Sequence, residues 1–281
     1  MNVEQRRRRR NPAVFTLGIL FFGWIAFAVN QFWDSDSARD LAMLLWLISP
    51  FVLALVLRLF AAEAWSDAGL KPNFRGNGFW YLFSLCIYPL AIAVVLAIGR
   101  AAGSVSVSGF SFFGIGMFLQ TAIMAFVSNF FKNFFEEFAW RGYLTPKFNQ
   151  LGWCGLVNHI VTGLIWGAWH IPYYLGILSS RRIMGYTSSD IKLFIPMVIL
   201  GLVAASIVYG ELRFRTRSLW PAVLAHTSAN ALILTLLFGN YIDISPSLHF
   251  LFTPSFEGIL MIVLFAAMGI LLYLRGARQM A

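Results

Sequence analysis

The sequence predicts an all-α, polytopic membrane protein with about eight transmembrane helices. Hydrophobic residues make up 59% of its 281 residues and charged residues only 12%, whereas about 25% of the residues of a soluble domain are charged. The mean hydropathy is +0.73. Apolar runs long enough to cross a bilayer follow one another along the chain. This composition excludes an ordinary soluble domain.

The net charge of +9 does not indicate a nucleic-acid partner. The basic residues fall between apolar runs, and no basic helix or RNA-binding pattern accompanies them. We therefore expect membrane lipid around the chain and no bound nucleic acid. The two cysteines, Cys86 and Cys154, lie in or beside apolar segments and predict neither a disulfide framework nor a metal motif.

The first apolar run, 12–30, follows five consecutive arginines and resembles a signal peptide. We predict an uncleaved first span, because the run is long enough to cross and further apolar runs follow at once. The second and third spans are predicted at 41–62 and 79–98, with Pro89 as a tolerated kink. A loop rich in glycine and serine, 99–111, comes next.

The fourth apolar segment, 112–144, is too long for one simple span. We expect a short interfacial or re-entrant piece at 112–118, and then a helix that ends before Pro146. The remaining four spans are predicted at 156–178, 193–209, 219–238 and 257–274.

We expect one membrane domain, 12–275, between a basic N-terminus, 1–11, and a short tail, 276–281. With the N-terminus in the cytoplasm, most of the 21 Lys and Arg residues fall on the inner side, although Arg181 and Arg182 do not. Both termini are therefore predicted to be cytoplasmic. If the source is prokaryotic, the membrane is the plasma or inner membrane.

The stretch 129–143, NFFKNFFEEFAWRGY, places charges inside an apolar helix. An ionisable side chain at the centre of a bilayer costs roughly 2.5 to 3.5 kcal/mol unless it is paired or used. Glu137 and Arg141 are four residues apart and are predicted to pair. Glu136 has no basic residue four positions later, so we predict a spare carboxylate. Lys132 is its alternative partner, although Lys before Glu is the less favourable order.

Two later spans also carry polar residues. His170 lies in the run 156–178, and His226 and Asn230 share one helix face in the run 219–238. A glutamate can act as general base and then acid, and histidine can share that proton. Asparagine can donate to an oxyanion without carrying a charge. This inventory favours hydrolysis of a peptide bond by water, because no serine or cysteine has an obvious base.

The segments EEFAWRG, WHIPYY and LWPAVLAHTSAN resemble the CPBP membrane proteins, the CAAX protease and bacteriocin-processing (Abi) family. The family patterns are EExxxR, then FxxxH or WHxP, and then HxxxN, and the resemblance indicates a protease core at about 112–240. The resemblance implies an intramembrane endopeptidase of the type II CAAX prenyl protease fold, acting on a peptide or membrane-anchored protein. The roles it implies are these: Glu136 and His170 activate water, His226 and Asn230 form the oxyanion site, and Glu137 and Arg141 support them.

Three alternatives remain open from the residues. Glu136, His170 and His226 would suit three ligands of a divalent metal such as zinc, with water as the fourth, but no HExxH spacing is present and we favour metal-free catalysis. A second alternative is a non-catalytic scaffold or immunity-type protein that binds a partner peptide. A third is a transporter, because intramembrane Glu and His also mark proton pathways.

Overall fold

The computed structural model describes residues 3–33, 35–61, 63–178 and 190–280. Arg181 and Arg182, the two exceptions to the predicted charge distribution, lie outside these residues. Helices dominate the described chain, and the predicted all-α membrane fold is confirmed. The helices are α1 (Val3–Phe32), α2 (Asp36–Phe60), α3 (Gly78–Ala101), α4 (Phe112–Ala139), α5 (Thr145–Gln150), α6 (Gly155–Pro172), α7 (Ile191–Thr216), α8 (Trp220–Phe238), α9 (His249–Phe252) and α10 (Ile259–Met280).

The only strands in the described chain form a two-residue antiparallel pair. Strand β1 (Val105–Ser106) follows α3, and β2 (Asp243–Ile244) follows α8. Val105 lies opposite Ile244. The pair ties together the two loops at that end of the bundle.

Seven of the described helices are long and apolar enough to cross a membrane, which makes the chain an integral multi-pass protein. Large apolar side chains such as Leu17, Leu90 and Phe131 point outward, each about two-thirds exposed. The predicted fifth span, α6, is not among the seven. It has only 18 residues, and Asn158, His159 and His170 lower its hydropathy.

The fourth apolar segment differs from its prediction in two ways. The re-entrant piece at 112–118 is wrong, because α4 runs without a break from Phe112. The helix also does not end before Pro146. A π-helical turn, Trp140–Leu144, joins α4 to α5, and the Thr145 N–H bonds to the Trp140 carbonyl five residues back. The wider turn places Pro146 in the first turn of α5, where its missing N–H costs little.

Close helix packing sets the positions of the polar spans. The most extensive pairings are α6 with α7 and α4 with α8. Gly163 of α6 allows the first, because a Cβ there would lie only 2.7 Å from the Val203 Cα. Trp140, Trp166 and Trp169 are fully buried where α4 and α6 meet. The helices that carry the three motifs therefore share one core.

The loop between α2 and α3 is held by a charged cluster. Asp67 receives the Arg58 guanidinium at 2.8 Å and the Lys147 ammonium at 2.9 Å. Its backbone carbonyl accepts from Arg213 at 2.6 Å. Burial on its own raises the pKa of Asp67, but the hydrogen bond from Lys147 and the charge of Arg58 hold the net pKa below its ordinary value of 3.8.

We predict that Asp67→Asn lowers the free energy of unfolding by about 3 kcal/mol, because it leaves the buried Arg58 without its carboxylate and Lys147 with only Glu63. The folded-state pKa is depressed, so this stabilisation is present above pH 3.8 and is lost as the pH falls through the folded-state pKa. Thermal unfolding in detergent at pH 7 and at pH 3 should show a difference between wild type and variant that shrinks at pH 3.

Asp36→Asn is the matched control, because the Asp36–Arg39 pair is exposed and worth little. An equal loss of stability in both variants would contradict the structural role of Asp67.

Candidate active site

A cavity of about 590 Å³ lies between the helices that carry the motifs. Its walls are mostly aromatic and aliphatic, which is typical of a ligand-binding pocket. The basic, acidic and imidazole side chains that line it are Lys132, Glu257, His170 and His226, and the amide side chains are Asn129 and Asn230. Of the predicted catalytic residues, three therefore meet in one cavity.

Glu136 lies in the last turn of α4, is only 1% exposed and does not itself line the cavity. Its Oε1 is 2.7 Å from the Lys132 Nζ, and its Oε2 accepts the Trp166 Nε1–H at 3.1 Å. The prediction of a spare carboxylate is therefore wrong. The order preference between Lys and Glu is worth only a few tenths of a kcal/mol, which is far less than the cost of burying an unpaired carboxylate.

His170 lines the cavity from α6. Its Nδ1 lies 2.9 Å from the Trp166 carbonyl oxygen. Because a carbonyl oxygen only accepts, Nδ1 carries the proton and Nε2 is left as an acceptor. The ring stacks on Tyr174, with centroids 5.8 Å apart, and meets the edge of Trp46 at 5.4 Å. Aromatic packing thus fixes the orientation of the imidazole.

The predicted pair of Glu137 and Arg141 is present, at 3.2 Å, and both side chains are fully buried. Glu137 Oε1 also lies 2.9 Å from the His226 Nδ1. The Arg141 guanidinium sits over the rings of Trp166 and Tyr209, at 4.8 and 5.0 Å. Glu137 therefore accepts the Nδ1 proton of His226 and sets its tautomer.

The contact between Glu137 and His226 could not be read from either motif. It joins α4 to α8, and spacing within one helix gives no distance between two helices. The only sequence signal is that both residues sit in polar motifs inside apolar spans.

Asn230 donates to the Asn133 Oδ1 at 2.9 Å. The same oxygen accepts from Lys132 at 3.3 Å, and Asn133 donates to Thr227 at 3.4 Å. This network orients the Asn230 amide at the cavity wall and leaves it a second N–H. Lys132 and Asn133 were not predicted as site residues, although Asn133 precedes Glu137 by one helical turn.

The candidate residues do not form a zinc site in this arrangement. No group of three His, Cys, Asp or Glu side chains is placed as metal ligands anywhere in the described chain. The oxygens of Glu136 are occupied by Lys132 and Trp166, and Nδ1 of His170 is occupied by a carbonyl. The rings of His170 and His226 lie 6.0 and 5.2 Å from the ring of Trp166, whose Nε1–H donates to Glu136.

The geometry defines a membrane-embedded helix bundle with a polar site at an apolar cavity. Residues 117–232 match the family model described as type II CAAX prenyl endopeptidase, Rce1-like. This match confirms the predicted resemblance to the CAAX protease family over that segment of the chain. The match includes all six predicted site residues, and the family points to a protease. A comparison with curated proteins found no match.

We predict strong energetic coupling between Lys132 and Glu136. Lys132→Met alone should lower the free energy of unfolding by about 2 kcal/mol, because it leaves a buried carboxylate unpaired, although the lysine is itself 32% exposed. Lys132→Met combined with Glu136→Gln should recover most of that loss. Unfolding in mixed detergent micelles measures all four proteins of the cycle, and purely additive effects would show that the pair is not coupled.

Proposed function

We propose that the protein is an intramembrane endopeptidase that hydrolyses a peptide bond of a membrane-associated protein or peptide, with water activated by Glu136. The observation that carries this proposal is the meeting of His170, His226 and Asn230 at one cavity beside Glu136. These side chains come from α6 and α8, and Glu136 comes from α4. Together they supply a base, a water-orienting acceptor and two oxyanion donors.

The first step is attack by water. The oxygen of the water forms a bond to the scissile carbonyl carbon, while Glu136 takes the proton and Nε2 of His170 accepts a hydrogen bond that orients the water. Glu136 must exchange its contact with Lys132 for the water. The lysine can leave, because its side chain is 32% exposed and carries a compact charge on a flexible stem.

The second step is collapse of the tetrahedral intermediate. Its oxyanion receives hydrogen bonds from Nε2 of protonated His226 and from the second N–H of Asn230. The carbon–nitrogen bond then breaks, and the departing amine takes the proton held by Glu136. Glu137 supports this step, because its carboxylate accepts the Nδ1 proton of His226 and so orients the imidazole ring toward the oxyanion.

A non-catalytic scaffold that binds a partner peptide is the second candidate. One observation favours it: Glu136 is paired and does not line the cavity. A scaffold needs the cavity and its aromatic walls but no free base.

Cleavage of fluorogenic peptides by the purified protein in detergent tests the proposal. The panel contains prenylated and unprenylated peptides, with Glu136→Gln and a chelator-treated sample in parallel. We expect wild type to cleave, the chelator to have no effect, and Glu136→Gln to be inactive at unchanged thermal stability.

Glu211→Gln is the matched control, because Glu211 is also buried and charge-paired on a helix but does not line the cavity. Loss of activity with the chelator would instead support metal catalysis. A folded wild type that binds peptides without cleaving any of them would favour the scaffold.

We predict that Asn230→Ala lowers kcat roughly 100-fold and changes KM little, because loss of one oxyanion donor acts on the transition state. Asn129→Ala is the control. Asn129 also lines the cavity, but its amide bonds to the Ala125 carbonyl of its own helix at 2.7 Å. Equal loss of kcat in both variants would contradict the oxyanion role of Asn230.

A further inference from the structure

The cavity has a carboxylate that the proposed mechanism does not use. Glu257 lies in the loop 253–258 between α9 and α10 and is only 1% exposed. Among the described residues that line the cavity, it is the single acid. A buried acid that faces a cavity requires a physical reason, because an uncompensated carboxylate is costly to bury.

The loop that carries Glu257 is packed into the bundle. Thr253 and Ser255 are buried, and the Gly258 N–H bonds to the Ser255 carbonyl at 3.0 Å. The Phe256 carbonyl approaches α7 so closely that a Cβ at Gly201 would lie 1.8 Å from it. Irregular backbone in a membrane protein is tolerated where it is buried in protein or lines a cavity. The loop therefore holds Glu257 in place.

The loop also adjoins the candidate active site. The Phe256 ring lies 6.4 Å from the ring of Trp166, whose indole donates to Glu136. Glu257 and the three polar groups on α6 and α8 thus belong to one continuous space. A ligand in the cavity can meet Glu257 and the reacting groups together.

Glu257 has no cationic partner among the described residues. Its carboxylate bonds to Ser255 and to its own backbone N–H, and its Oε1 has no hydrogen-bond partner there. Lys132, the cation that lines the cavity, is paired with Glu136. Burial therefore raises the pKa of Glu257 to about 7. A bound cation would supply the charge that this site lacks.

We propose that Glu257 is a specificity-determining residue that binds a lysine or arginine side chain of the peptide substrate. A basic side chain has an apolar stem and a charged head, which matches an aromatic cavity with one carboxylate. The proposal deepens the proposed function, because it names the class of peptide that the protease would take.

The experiment separates binding from cleavage. In one series of fluorescein-labelled peptides, a single arginine is moved through each position in turn. In the matched series, citrulline, the neutral analogue of arginine, replaces it at the same position. Their binding to the Glu136→Gln variant is measured by fluorescence anisotropy in detergent. We expect at least one position where arginine binds roughly tenfold tighter than citrulline. Glu257→Gln in the same background should abolish this preference, and its thermal unfolding shows that the fold is retained.

Two variants serve as controls for that loss. Glu257→Asp keeps the charge and should keep part of the preference. Thr235→Val should keep the full arginine preference, because Thr235 is a neutral cavity residue whose hydroxyl bonds to its own helix. Cleavage is then compared for the best arginine peptide and its citrulline partner with Glu136 restored. We expect Glu257→Gln to slow only the arginine peptide.

Several results would overturn the proposal. The first is an arginine preference that is unchanged in Glu257→Gln. The second is an equal loss of cleavage for both peptides, which would make Glu257 part of the chemistry. The third is that no peptide binds at all. Failure of the proposed function looks different. Arginine-selective binding without any cleavage by wild type would contradict the protease and leave the assignment of Glu257 intact.

Discussion

Ionised carboxylates in an apolar bundle must have partners, and the rest of this structure depends on how α4 meets that requirement. Glu136 and Glu137 are adjacent and both buried, and each receives a cation from its own helix, Lys132 or Arg141. Neighbouring helices supply the remaining hydrogen bonds: the Trp166 indole bonds to Glu136, and the His226 imidazole bonds to Glu137. The two glutamates therefore draw α6 and α8 around α4 and align the groups that line the cavity.

The π-helical turn, Trp140–Leu144, buries the side chains that directly follow the two glutamates. A wider turn changes the angle between successive side chains, and such turns are frequent at functional sites. Here Trp140, Arg141 and Tyr143 are all fully buried although they point in different directions. The turn also brings Pro146 into α5, so the long helix continues into the charged cluster around Asp67.

The sequence was enough to predict the helical membrane fold and the pair of Glu137 with Arg141, because hydropathy and spacing along one helix determine them. The family came instead from the resemblance of three motifs on three separate segments. The sequence did not identify Lys132 as the partner of Glu136. The preference for Glu before Lys along a helix comes from exposed helices and says little about a buried pair. The contact of His226 with Glu137 depends on the approach of α8 to α4. The Pro146 prediction failed because it assumed regular α-helix on both sides of the proline.

The environments of Glu136 and Glu257 differ in the way that their two proposed roles at one cavity require. Glu136 has a cation and an indole donor and lies behind the wall, which suits a base that is exposed only when Lys132 moves. Glu257 has one oxygen without a partner in the described chain and forms part of the wall, on a loop that is fixed by packing. The proposed protease needs both conditions, because a base that takes up a proton in every turnover is neutral for part of the cycle and cannot also hold a cation throughout it. The division of roles follows from which carboxylate already has a cation.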